Sequence, residues 1–101
     1  MAPREEDQRP ELKWRRTLRA LLERSGSDHP RDWLNRMLAE RLCGDHVLPS
    51  TIAELARTKG LIFHKQDLEV AGYAGELARV TAYRLAPESL QRARELLEAR
   101  V

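Results

Sequence analysis

At Gly60 the chain changes its hydrophobic period, and no other feature constrains the fold as much. Before it, apolar residues recur at three- and four-residue spacings, the mark of helices with one buried stripe. After it, Leu61–Val70 holds Leu61, Ile62, Phe63, Leu68 and Val70, which suits a strand. Leu77–Leu85, with Val80, Thr81 and Tyr83, suits a second one. Between them, Ala71-Gly72-Tyr73-Ala74-Gly75 reads as a turn whose two glycines can take unusual backbone angles. The two strands read as one hairpin.

Three helices are expected before the hairpin and one after it. The first runs over Glu11–Arg24, with Pro10 at its opening position and Trp14, Leu18, Leu21 and Leu22 on its inner stripe. Its outer face carries Lys13, Arg15, Arg16, Arg19 and Arg24 against Glu11 and Glu23. Ser25-Gly26-Ser27-Asp28 breaks it, and a second helix is expected from about Pro30. That helix carries Trp33, Leu34, Met37, Leu38 and Leu42 inward and ends at a left-handed Gly44. His46-Val47-Leu48-Pro49 then reads as a short extended entry. Ser50 or Thr51 would cap the third helix, Thr51 and Glu54 having capping-box spacing. Ile52, Leu55 and Ala56 would face inward, and Gly60 would stop it. A helix so short cannot stand alone and must dock on its neighbours. Pro87 opens a last helix over about 87–100, with a stripe of Leu90, Ala93, Leu97 and Val101, widened by Leu96. Residues 1–9 are charged and aperiodic and read as a disordered arm, leaving 10–101 as the domain. The expected class is mainly α with a β-hairpin (α+β), and Trp14 and Trp33 fit its core.

Composition narrows the possibilities further. A chain of 101 residues makes one domain with a modest core. A single cysteine, Cys43, excludes an internal disulfide and fits a reducing compartment. No apolar run approaches a membrane span, and residues 1–7 carry no apolar leader core, so a cytoplasmic protein is expected. Basic residues outnumber acidic ones by only 18 to 16, too small an excess to diagnose a polyanionic partner. Fifteen of the 18 are arginine, which suits phosphate and guanine, but GC-rich coding gives arginine as well.

Sites of covalent chemistry are not expected. Cys43-x-x-His46 resembles half a metal site, yet only His29 and His64 remain to complete one, so neither metal nor cofactor is expected. Gly72 and Gly75 sit in a hairpin turn rather than a phosphate loop. Ser and Cys have no adjacent base at a recognisable spacing, and the chain does not read as an enzyme.

Three helices leading into a hairpin is the chain order of a winged helix-turn-helix, here with a short β piece between the second and third helices. Ser50-Thr51-Ile52-Ala53-Glu54-Leu55-Ala56-Arg57-Thr58-Lys59-Gly60-Leu61-Ile62 resembles the recognition segment of short winged-helix proteins from phages and mobile elements. Arg79-Val80-Thr81-Ala82-Tyr83-Arg84-Leu85 resembles their second wing strand, which tends to end in Tyr-x-Leu. The resemblance covers roughly residues 15–86. It implies a small regulator or mobile-element protein that binds double-stranded DNA, with the third helix in the major groove and the wing on the backbone.

On that reading the outer positions of the third helix are Ser50, Thr51, Ala53, Glu54, Arg57 and Thr58, followed by Lys59. Arg57 is the candidate for a base edge, and Thr51 and Thr58 for phosphate or base. In the wing the candidates are His64, Lys65, Gln66, Tyr73 and Arg79; on the first helix, Lys13 and Arg16 are candidates for phosphate. The hairpin is longer than the shortest wings of that group. Glu54 also departs from the pattern: it could accept from cytosine N4, but it repels phosphate. A capping bond back to Thr51 would neutralise it locally, and that is the expected arrangement. The wing is near neutral, Lys65, Arg79 and Arg84 standing against Asp67, Glu69 and Glu76, and Lys65 and Arg79 could simply guard a strand edge. A protein partner is therefore the alternative ligand, and the last helix could serve a homodimer.

Overall fold

The structure, a computed structural model, describes residues 12–71 and 75–98. Helix α1 spans Lys13–Arg24 and is followed by a single 3₁₀ turn, Pro30–Asp32. Two helices come next, α2 at Arg36–Cys43 and α3 at Leu48–Lys59. Strands β1 (Phe63–Ala71) and β2 (Leu77–Leu85) form an antiparallel hairpin. A second 3₁₀ turn, Pro87–Ser89, leads into α4 at Leu90–Glu98. The class is α+β, as expected: among the described residues, four α-helices and one two-stranded sheet.

The apolar stripes meet in one core. Leu18 and Leu21 of α1, Leu34, Leu48 and Leu55 of α3, and Leu85 of β2 are fully buried at its centre. Each such leucine contributes about 1.5–3 kcal/mol over its exposed state. Ala39, Cys43, Ile52, Leu61 and Ala93 complete the cluster. Helix α4 lays the partly buried Leu90, Leu96 and Leu97 against it. Arg15 ties that helix down from α1. Its guanidinium donates to the carbonyls of Leu96 at 3.0 Å and Leu97 at 2.6 Å, in the last turn of α4.

A two-stranded hairpin is marginal by itself, and this one is anchored at its base. The register runs without a bulge from Phe63 opposite Leu85 to Ala71 opposite Leu77. Leu34 exchanges both backbone bonds with Tyr83, at 3.1 and 2.8 Å, and so adds a one-residue third strand beside β2. Three further bonds hold the same end: Ala86 N–H to the Ile62 carbonyl, Ile62 N–H to Ser89 Oγ, and Leu85 N–H to Ser25 Oγ. Trp33 supports it from the side, donating from Nε1 to the Ser27 carbonyl at 2.8 Å beneath the Arg84 guanidinium. Toward the tip the strands are mostly exposed, Leu77 at 71 %.

The structure corrects two local expectations. The second helix begins at Arg36 rather than near Pro30, because the pairing of Leu34 with Tyr83 holds the chain extended past Trp33. Asn35 is the true cap, its Oδ1 accepting from the amides of Met37 and Leu38 at 3.0 Å each. Leu42 consequently faces out, 53 % exposed. The extended piece lies at Leu34, between α1 and α2, and not at 46–49.

The second correction concerns the start of α3. It begins at Leu48 with Pro49 in its first turn, where no N–H is needed. Ser50 and Thr51 therefore lie inside the helix, and the Thr51–Glu54 capping box does not form. Ala56 is exposed, not inward. Gly44 and Gly60 end α2 and α3 at φ of 68° and 70°, as expected of left-handed caps. The arm 1–9, the expected start of α1 at Pro10 and Glu11, the turn residues 72–74 and Val101 lie outside the described residues. Among the described residues no helix is long and apolar enough to cross a membrane.

Candidate nucleic-acid interface

A buried carboxylate sets the position of α3. Asp45 is fully buried and accepts from Thr17 Oγ1 at 3.0 Å and from the Val47 amide at 2.9 Å. Lys13 Nζ lies 3.8 Å away. Burial pushes this carboxyl up, but hydrogen bonds from Thr51, Val47 and Thr17, with the Lys13 charge, outweigh it and hold Asp45 below the ordinary carboxylate value. Asp45 thus joins α1 to the first turn of α3 and fixes which face of α3 turns outward.

That face carries Ser50, Ala53, Glu54 and Arg57, all exposed, while Leu48, Thr51, Ile52 and Leu55 point inward. Among the described residues, neither Glu54 nor Arg57 is in an ion pair. The other helix candidates are less available. Thr51 is only 8 % exposed, committed to Asp45 and to the Val47 carbonyl, and drops out of the outward set. Thr58 is exposed but donates its hydroxyl to the Glu54 carbonyl at 2.8 Å. Lys59 is half-buried and lies off this face, with its ammonium 4.8 Å from the Trp14 ring centre.

In the hairpin, His64, Lys65, Gln66 and Arg79 are exposed. His64 Nδ1 accepts from Arg84 Nε at 3.2 Å, and Gln66 donates to the Asp67 carbonyl at 3.2 Å. The register sets Glu69 opposite Arg79, and Asp67 accepts the Thr81 hydroxyl at 2.8 Å, so the hairpin carries charges of both signs. Tyr73 lies outside the described residues. On α1, Arg16 is exposed and Lys13 leans toward Asp45. Arg15 and Arg24 are engaged inside the protein, Arg24 on the Asp32 carbonyl at 3.0 Å, so the basic face expected of α1 is partly spent on structure.

The Cys43-x-x-His46 pair does not converge. Cys43 is buried at the end of α2, where burial first and Asp45 second push its thiol up. The His46 side chain is 75 % exposed and meets Glu40 at 3.4 Å. Among the described residues, no three His, Cys, Asp or Glu side chains group as a metal site would need.

Sequence patterning did not reveal a groove of about 490 Å³ between the start of α1 and the flank of α3. Leu12, Trp14 and Val47 line it together with Lys13, Lys59 and the α3 residues Ser50, Glu54 and Thr58, so it opens onto the outward face of α3; Leu12 is 62 % and Val47 47 % exposed. It arises because Val47 immediately precedes the early start of α3, a shift that the expected cap at Ser50 or Thr51 conceals. Comparison with protein-family models, with curated proteins and with solved structures finds no match to this chain.

Proposed function

We propose that this chain is a winged-helix protein that binds double-stranded DNA, as a small transcriptional regulator or a DNA-binding protein of a phage or mobile element. The observation that carries the reading is the order helix, bridging strand at Leu34, helix, helix, two-stranded wing. In that order α3 presents Ser50, Ala53, Glu54 and Arg57 on one side of a compact support. A duplex major groove admits one helix, and a short helix on such a support can enter it. Arg57 is the candidate for a base edge; Lys65 and Arg79 of the wing, with Lys13 and Arg16 of α1, are the candidates for phosphate.

Fluorescence anisotropy of a labelled random-sequence duplex, titrated at several salt concentrations, tests this reading. Saturable binding that weakens as salt rises supports it. On a duplex selected for tight binding, Arg57→Ala should cost about 1–3 kcal/mol, with a smaller loss on unrelated duplexes. Equal loss on all sequences would reduce Arg57 to a phosphate contact.

A second reading has its own support. Glu54 stands uncapped on the outward face, and the apolar groove beside it exposes Leu12 and Val47. Both features suit a protein partner gripped by the same scaffold. Absence of DNA binding even at low salt would favour that reading.

A further inference from the structure

Three observations bear on Glu54. Its expected role as a cap is taken by other groups, since Asp45 accepts from the Val47 amide and the Thr51 hydroxyl turns to Asp45 and the Val47 carbonyl. It is exposed beside Ser50, one turn before it, and Arg57, nearly one turn after it. Among the described residues its carboxylate is in no ion pair, and it lines the groove beside α1.

We infer that Glu54 is a specificity-determining residue that accepts from the N4 amino group of cytosine while Arg57 donates to guanine, so that the preferred duplex carries C·G pairing where α3 enters the groove. The inference rests on the DNA-binding reading above. Residues three apart on a helix lie about 5–6 Å apart at Cβ. Successive bases on a strand are about 3.4 Å apart. The two side chains therefore span one G·C pair or two neighbouring ones. In the major groove a carboxylate meets donors at cytosine N4 and adenine N6. The adenine donor has the N7 acceptor of its own base beside it, which suits an amide and repels a carboxylate, and thymine O4 and guanine O6 are acceptors. Cytosine is thus the favoured base. Arginine has the opposite preference, meeting guanine O6 and N7 with paired N–H donors. An acidic and a basic side chain side by side on a groove-facing helix thus describe a C·G step rather than a general affinity for phosphate.

Selection from a pool of randomised duplexes, run in parallel with the full wild-type chain, Glu54→Ala and Arg57→Ala, tests it. The wild type should enrich a cytosine at one fixed position, on or next to the base pair that Arg57 reads. Glu54→Ala should lose that preference alone, and Arg57→Ala the neighbouring guanine. Replacing the selected C·G pair by T·A should weaken the wild type by about five- to a hundredfold and leave Glu54→Ala nearly unmoved. If Glu54→Ala instead tightens binding equally on every duplex, the carboxylate only repels phosphate and the inference is overturned. An unchanged selected motif in Glu54→Ala overturns it as well. If the wild type retains no duplex at low salt, the DNA-binding reading falls and the inference with it. Equal melting temperatures of the three proteins establish that all are folded.

Discussion

At the scale of single residues, Asp45 is the clearest case of one side chain doing what sequence patterning assigned to others. Its folded-state pKa is depressed, because the bonds from Thr51, Val47 and Thr17 and the Lys13 charge favour the ionised form more than burial disfavours it. The stability it contributes is therefore fully present above the unfolded carboxyl value, about 3.9. It is lost as pH falls through the lower folded value. Asp45→Asn keeps the shape but removes the charge, and should lower stability at neutral pH by about 1–3 kcal/mol while flattening the acid limb of a stability–pH profile. Urea titrations of both proteins between neutral and strongly acidic pH would measure this; parallel curves would mean that the Asp45 charge is incidental.

At the scale of elements, α4 depends on a contact from the far end of the chain. The two bonds from Arg15 to the carbonyls of Leu96 and Leu97 meet the end of a helix that buries only one fully enclosed residue, Ala93. Arg15→Met keeps most of the stem and removes both bonds. It should cost about 1–2 kcal/mol, with faster amide exchange concentrated in 90–98; uniform exchange changes would show that α4 is held by its apolar stripe alone. Elements of this kind differ in how legible they are in the sequence. Gly44, Gly60 and the period change after Gly60 act locally, so both left-handed caps and both strands could be read from neighbouring residues. The start of α2 could not, because what stops the helix at Leu34 is Tyr83, far along the chain. Pro49 misled for a related reason: a proline fits before a helix or in its first turn, and the choice was made by Asp45 and its partner Thr17 on α1. The outward positions Ser50, Glu54 and Arg57 followed from helical periodicity. The inward turn of Thr51 and the uncapped state of Glu54 followed from that displaced start.

At the scale of the whole molecule, charge is scattered rather than gathered. The net charge is only +2, and the exposed cations of the proposed interface, Lys13, Arg16, Lys65 and Arg79, are interleaved with Glu54, Asp67 and Glu69. Four phosphate contacts would give a slope of log affinity against log salt of about −4 at most. Lys65→Ala should make that slope shallower by about one. Anisotropy titrations across a salt series measure both values, and a distinctly steeper slope would mean that basic residues outside α3, the wing and α1 are engaged.

The shape of the molecule has a mechanical side. The protein measures 52 × 33 × 21 Å, and the hairpin is fastened at Leu34, Tyr83, Leu85 and Ile62 while its far end reaches out through Leu77. Nine residues of strand extend about 30 Å, so the hairpin is a cantilever clamped at one end. A rotation of a few degrees at the clamp would amount to about a couple of ångströms at the far end of the strands, at Ala71 and Leu77. If the proposed DNA binding holds, the outer part of the strands would adjust to a duplex of slightly different groove width while the face bearing Arg57 stays where the core holds it.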